Sequence, residues 1–196
     1  GVSRPRSARH PLQGTSSLQG TSSLRRPPLG GLFPGSWFNP CLMPCMAFKH
    51  PKPLSNFDYI GFHHYLLTWC CSERKQVFTQ RDCVDLVLQQ IMRATRETDF
   101  EVVAYCFMPD HVHLLAKGAS QVADGKRFFR LAKQYSGYYF SQTYEEKLWQ
   151  RYGRDEVLWE DHGPWAAAQY IIENPVRAGI VTKPEDYPFT GSPTLT

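Results

Sequence analysis

The chain has 196 residues, of which 42% are hydrophobic and 14% aromatic, enough for one globular domain with a buried core and an extension. No apolar run approaches the roughly 18 residues of a membrane-spanning helix, so we expect a soluble, cytoplasmic protein rather than a membrane protein. Seven of the 22 basic residues and none of the 18 acidic ones precede Asp58, so the formal charge of +4 becomes −3 from there onward and gives no global support for nucleic-acid binding.

Residues 1–53 lack the periodicity of a folded domain. The sequence Leu-Gln-Gly-Thr-Ser-Ser stands twice in succession, at 12–17 and 18–23, and Pro, Gly, Ser and Arg dominate the rest. Such a composition predicts a disordered or non-native N-terminal extension. We expect translation to start at Met46 and residues 1–45 to be dispensable. An organelle transit peptide is the alternative, since it is also rich in Arg and Ser and poor in acidic residues.

From residue 59 onward, strand-like and helix-like segments alternate. Runs of β-forming residues predict strands at 64–71, 100–106 and 111–116, with a short fourth strand at 157–159. Apolar residues at helical spacing predict helices at 81–98 and 124–144, and a third helix at 164–174 that Pro175 ends or kinks. The order β-α-β-β-α-β-α predicts an antiparallel sheet with helices packed on one or both faces, an α+β sandwich.

His111 and His113 are the first candidate site. Residues i and i+2 of a strand face the same side, so the two imidazoles can bind one divalent cation while Val112 anchors the opposite face. The alternative is a pair of half-exposed strand histidines without a metal. A structural zinc site that adds Cys106 is a third interpretation, but its ligand spacing differs from that of the common closed sites.

The six cysteines form no Cys-x-x-Cys pair. They stand at Cys41, Cys45, Cys70, Cys71, Cys83 and Cys106. This spacing indicates reduced and mostly buried thiols, as in a cytosolic protein, rather than a disulfide framework.

Tyr170 and Asn174 are the second candidate site. They stand four residues apart on a predicted helix and therefore share a face. A phenol and an amide oxygen one turn apart can both point at one metal-bound phosphate. The alternative is a tyrosine that closes a core and an asparagine that caps the helix before Pro175.

A third candidate is the basic and aromatic segment between Lys117 and Arg154. Basic side chains can neutralise phosphates while aromatic ones stack on unpaired bases, although an ordinary amphipathic helix has the same composition. The residues that we select as candidate nucleic-acid contacts in this segment are Lys126, Arg127, Arg130, Lys133 and Arg151, to which Arg177 is added further along.

Several motifs in order resemble one known family. Residues 108–115, Met-Pro-Asp-His-Val-His-Leu-Leu, resemble the HUH motif (His, hydrophobic, His) of the single-tyrosine HUH transposases. Leu-Trp-Gln-Arg at 148–151, Tyr-Ile at 170–171, Asn-Pro-Val-Arg-Ala-Gly-Ile-Val at 174–181 and Tyr-Pro at 187–188 are similar to the REP-associated tyrosine transposases in particular. The resemblance runs from about Tyr59 to Ser192.

The resemblance implies a fold, a site and a reaction. Residues 54–196 would form a ferredoxin-like HUH nuclease domain, in which His111 and His113 match the metal ligands, Asn174 a third ligand and Tyr170 the nucleophile. The metal would be Mg or Mn. The substrate would be single-stranded or hairpin DNA, cut through a 5′-phosphotyrosine without a nucleotide cofactor, by a monomer or a homodimer. The alternative is a domesticated protein that binds hairpin DNA or RNA without cleaving it.

Overall fold

The computed structural model describes residues 57–158 and 163–193. The predicted extension at residues 1–53 lies outside the described residues. No helix in the described part of the chain is long and apolar enough to cross a bilayer.

A five-stranded antiparallel sheet is the centre of the fold. Its strands are β1 (His64–Cys70), β2 (Phe100–Met108), β3 (His111–Gly118), β4 (Arg154–Leu158) and β5 (Thr190–Gly191), in the order β4-β1-β3-β2-β5. The helices are α1 (Arg81–Thr98), α2 (Gly125–Tyr144), α3 (Pro164–Ile172) and α4 (Asn174–Arg177), with short 3-10 turns at Ser72–Arg74 and Pro184–Asp186. This arrangement confirms the predicted α+β sandwich.

The helices divide between the two faces of the sheet. Helices α1 and α2 pack on one face, where Tyr65, Leu67 and Trp69 of β1 alternate with side chains that point the other way. Helix α3 covers the opposite face, which carries Leu66 and Leu115. Alternation along each strand therefore gives the domain two separate apolar layers.

A β-bulge in β2 exchanges which residues face which layer. The register against β3 shifts between Val102 and Ala104. Val102 packs in the layer under α1 and α2, whereas Ala104, Cys106 and Met108 all lie in the layer under α3. Because two residues of one strand oppose a single residue at a bulge, the inward and outward sets change places beyond it.

The segment after α4 returns to the outer edge of β2. The Tyr187 hydroxyl donates to the Phe107 carbonyl at 2.7 Å, and the Ser192 hydroxyl donates to the Val103 carbonyl at 2.6 Å. Between these two bonds, Thr190 and Gly191 pair with Cys106 and Tyr105 as β5. This attachment fixes the chain that leaves α3 and α4 against the sheet.

The four described cysteines, Cys70, Cys71, Cys83 and Cys106, are buried and form no disulfide with one another, as predicted. Cys41 and Cys45 lie outside the described residues. Burial, the largest influence, raises the pKa of the Cys71 thiol to about 12. That thiol is therefore protonated at neutral pH and acts as a small apolar side chain.

Candidate active site

The two histidines of β3 converge on one side of the sheet. Val112 between them is fully buried in the layer under α1 and α2, so alternation turns both imidazoles towards the α3 face. Their Nε2 atoms are 3.1 Å apart. Ligand nitrogens lie roughly 2.0–2.2 Å from a bound metal, so two nitrogens at this separation can reach a single ion.

Each imidazole has a second partner that fixes its orientation. The Nδ1 atom of His111 lies 2.6 Å from Asp110 Oδ1, and the Nδ1 atom of His113 lies 3.0 Å from the Thr68 hydroxyl. Asp110 in turn is held by Arg74, whose Nε is 2.8 Å from Asp110 Oδ2. If both Nδ1 atoms donate a proton to these oxygens, both Nε2 atoms present a lone pair to the gap between the rings. The two lone pairs repel each other, and a cation bound between them would offset that repulsion.

The surroundings of His113 favour the neutral form of its imidazole. Burial lowers the pKa of His113 to about 3, and the neighbouring His111 and Arg74 add to this effect. Burial opposes the charge of Asp110, but its hydrogen bond to His111 and the nearby Arg74 outweigh that and lower its pKa. Near neutral pH His113 is therefore uncharged, as metal coordination requires, and Asp110 is a carboxylate.

Asn174 has a buried oxygen without a partner. Its side chain is fully buried, its Nδ2 lies 3.3 Å from the Tyr170 carbonyl, and its Oδ1 has no hydrogen-bond partner among the described residues. A buried unpaired carbonyl is costly unless something satisfies it. No group of three His, Cys, Asp or Glu side chains suited to a metal exists in the described part of the chain.

The helix that carries Asn174 is kinked rather than ended by Pro175. Helix α3 ends at Ile172, Glu173 lies between the two helices, and α4 begins at Asn174 and continues past the proline. Pro175 has no backbone N–H to donate, and its ring would clash with the preceding turn of a continuous helix. The kink leaves the Asn174 side chain in the interior.

Tyr170 lies beside the histidine pair. Its ring is half-buried against the apolar layer under α3 and meets His113 edge to face, with the ring centroids 6.4 Å apart. The guanidinium carbon of Arg177 lies 4.6 Å from the centroid of the same ring. The structure thus brings Tyr170, His113 and Arg177 together, with Asn174 one turn away on the same helical segment.

The candidate nucleic-acid contacts do not form one surface. Lys126, Arg127 and Arg130 are exposed on α2, which packs on the sheet face opposite to the histidines. The Lys133 ammonium is partly buried and donates to the Gln150 carbonyl at 3.1 Å. Burial lowers the pKa of that ammonium.

The two remaining basic candidates lie outside α2. Arg151 is exposed and stacks on Tyr152, with its guanidinium carbon 5.4 Å from the ring centroid. Of the six predicted contacts, Arg177 is the one whose guanidinium touches the Tyr170 ring.

Sequence reasoning missed three residues of the site. Asp110 directly precedes His111 in the sequence, and this adjacency is the signal that could have indicated its contact with that histidine. Thr68 contacts His113, and Arg74 contacts Asp110. Each pair is more than thirty-five residues apart in the chain and meets because β1 pairs with β3. No local pattern signals such a contact.

The model of the family described as "Transposase IS200 like" matches residues 61–162, a little over half of the chain. The match includes His111 and His113 and ends before Tyr170. A curated protein of Haemophilus influenzae, named as a REP-associated tyrosine transposase, is 32% identical over 102 residues. These are 46% of this chain and 58% of that protein, so the chain spans less than two-thirds of the relative's length.

One solved structure is similar in fold, and a second matches with a lower TM-score. A REP-associated tyrosine transposase bound to a REP hairpin matches with a TM-score of 0.57 and 22% identity, over 67% of this chain and 78% of that one. A transposase structure from Deinococcus radiodurans matches with a TM-score of 0.45 and 24% identity, over 59% of this chain and 92% of that one. The resemblance stated from the sequence motifs is confirmed, and with it the α+β fold.

Proposed function

The chain belongs to the IS200-like transposase family, and on that premise we propose that it cuts and rejoins single-stranded DNA with Tyr170 as the nucleophile. The observation that carries the proposal is the meeting of the Tyr170 ring with His113, whose Nε2 faces that of His111. The buried and unpartnered Asn174 oxygen lies one helical turn from the tyrosine. A phenol, two imidazoles and an amide oxygen are the parts that this reaction needs.

The residues present fit a divalent metal. His111 and His113 would hold it through Nε2, and Asn174 would hold it through Oδ1. A hard ion such as Mg²⁺ or Mn²⁺ would withdraw charge from a nonbridging oxygen of the scissile phosphate or orient that phosphate. Asp110 and Thr68 orient the two imidazoles.

The proposed reaction conserves the energy of the phosphodiester. The Tyr170 oxygen forms a bond to phosphorus and the bond between phosphorus and the 3′ oxygen breaks. The phenol proton leaves to solvent, and the departing 3′ oxygen takes up a proton to become a hydroxyl. The product is a 5′-phosphotyrosine, which a 3′ hydroxyl can attack in the reverse sense, so rejoining needs no nucleotide cofactor.

The proposed substrate is a DNA hairpin with a single-stranded flank. The curated relative is named for REP elements and the similar solved structure holds a REP hairpin, which supports a folded single strand as the ligand of this chain also. Exposed tyrosines on α2, among them Tyr138, offer aromatic faces of the kind on which unpaired bases stack.

A covalent-adduct assay tests the proposal. The full chain is incubated with Mn²⁺ and labelled DNA hairpins with randomised flanks, and the products are separated on a denaturing gel. A shifted protein–DNA band is expected for the wild type and not for Tyr170→Phe, which removes one oxygen and keeps the ring. Tyr105→Phe is the matched control, because Tyr105 lies in the opposite layer of the sheet, and it should form the adduct normally.

Two outcomes contradict the proposal. An adduct in Tyr170→Phe would remove the tyrosine from its role. Tight hairpin binding by the wild type without any adduct would select the alternative, a protein that binds hairpin DNA or RNA without cleaving it.

A further inference from the structure

Arg177 is held over the ring of Tyr170 by a fixed set of contacts. Its guanidinium carbon is 4.6 Å from the ring centroid, and its Nη2 donates to Glu173 Oε2 at 3.0 Å. The other carboxylate oxygen of Glu173 accepts from Gln169 Nε2 at 2.8 Å. Gln169, Glu173 and Arg177 follow one another at intervals of four residues, so the series runs along one side of α3 and α4.

His113 and Arg177 both contact the Tyr170 ring. His113 meets it edge to face, with 6.4 Å between the ring centroids, and the Arg177 guanidinium carbon lies 4.6 Å from its centroid. The Arg177 side chain is 45% exposed, so it reaches solvent beside the ring that carries the reacting hydroxyl. Arg74, by contrast, is engaged by Asp110 and Cys70.

The chemistry of a guanidinium suits a phosphate at this place. Arginine has five N–H donors in a planar fork that matches phosphate oxygens, and Glu173 occupies only one nitrogen, Nη2. The ion pair with Glu173 is a partly exposed i,i+4 pair, a weak kind of contact that a phosphate can share or displace. When the tyrosine oxygen adds to phosphorus, the negative charge on the nonbridging oxygens is redistributed. A cation fixed beside the nucleophile stabilises that charge in the transition state.

We infer that Arg177 binds the scissile phosphate during attack by Tyr170, with Glu173 and Gln169 holding the guanidinium against the ring. This inference rests on the proposed function and deepens it. It gives Arg177 a role different from that of a general contact to the DNA backbone, since it acts on the phosphate that reacts. The bonds that form and break are those of the cleavage step described above.

The test compares charged and neutral phosphates at the cleavage position. A hairpin that the wild type cleaves is prepared twice, once unmodified and once with a methylphosphonate, in which a methyl group replaces one nonbridging oxygen and the charge is removed. Arg177→Ala and Arg177→Lys are assayed on both probes by single-turnover adduct formation. Arg93→Ala is the matched control, because Arg93 also pairs with a glutamate four residues away and stacks on a tyrosine, with its guanidinium carbon 4.4 Å from the Tyr135 ring centroid.

On the unmodified hairpin, Arg177→Ala should slow adduct formation by about a hundredfold or more, and Arg177→Lys should recover part of the loss. On the methylphosphonate, Arg177→Ala and the wild type should differ by no more than a few-fold. Arg93→Ala should match the wild type on both probes, and the melting temperatures of the variants should agree.

Equal losses for Arg177→Ala on both probes, or no loss on the unmodified one, would overturn the inference, because neither depends on the charge of the phosphate. Absence of an adduct in the wild type overturns the proposed function and this inference together. That failure is distinguishable, because it is seen before any variant is compared.

Discussion

Replacement of Asp110 by alanine should weaken metal binding without unfolding the protein. The carboxylate is 2.6 Å from His111 Nδ1 and its side chain is 21% exposed, while that of His111 is 12% exposed. Without it, the proton of His111 can move to Nε2, and the nitrogen that would bind the metal then carries a hydrogen. The ring also loses the contact that fixes its direction.

The size of the effect follows from this contact. Loss of a hydrogen bond to a charged group is worth about 1.5–3 kcal/mol, and loss of a carboxylate partner behind a ligand histidine typically lowers metal affinity about 10–100-fold. A factor of ten corresponds to about 1.4 kcal/mol, so the two estimates agree. We therefore expect Asp110→Ala to raise the Kd for Mn²⁺ by one to two orders of magnitude.

Titration calorimetry of the full chain with Mn²⁺ measures this change. Glu146→Ala is the control, because Glu146 also pairs with a cation, Lys75 at 2.7 Å, but is half-exposed and does not contact His111. Its Kd should equal that of the wild type. An unchanged Kd in Asp110→Ala, with a folded protein by circular dichroism, would refute the argument that Asp110 orients a ligand.

Three further predictions concern the same site. His111→Ala and Asn174→Ala should each leave the fold intact by circular dichroism. His111→Ala should abolish Mn²⁺-dependent adduct formation, and Asn174→Ala should raise the Mn²⁺ concentration that adduct formation requires. Normal adduct formation by His111→Ala would exclude the metal site. The folded pKa of His113 is about 3 and the unfolded value is 6.5, so the unfolded state binds more protons between these values. Urea unfolding with a chelator present should show the free energy of unfolding falling by up to about 1.4 kcal/mol per pH unit as the pH drops below 6.5. A free energy of the wild type that does not depend on pH in this range, or the same slope in His113→Asn, would contradict this prediction. Thr68→Val should weaken Mn²⁺ binding about tenfold in calorimetry, and a Kd equal to that of Thr68→Ser would count against its contact with His113 Nδ1.

Much of the fold could be predicted because its signals are local. The helix at 81–98 was predicted with both ends correct, since its apolar residues follow a helical period and Asp99 then adopts a left-handed φ of 54° that ends it. The bulge between Val102 and Ala104 and the two-residue strand Thr190–Gly191 were not predicted. A bulge has no fixed residue type, and two residues are too few to show a period.

The site was predictable to the extent that its geometry is that of a single strand or helix. Alternation on β3 placed His111 and His113 on one side, and helical spacing placed Tyr170 and Asn174 near one another. The position of Lys126 could not be predicted in the same way. Helical periodicity indicates that its side chain is exposed, but it does not indicate which face of the sheet α2 covers. That choice depends on the whole topology, and it places α2 opposite to the histidines.

The attachment of β5 to β2 also limits aggregation of the protein. A strand at the margin of a sheet presents unpaired N–H and C=O groups to which a strand of another molecule can add, which leads to aggregation. On β2 these groups are engaged by the chain's own segment, from the Tyr187 hydroxyl on the Phe107 carbonyl to the Ser192 hydroxyl on the Val103 carbonyl. Along the residues that β5 and its two flanking bonds cover, β2 therefore offers no open edge to a strand from another copy of the protein.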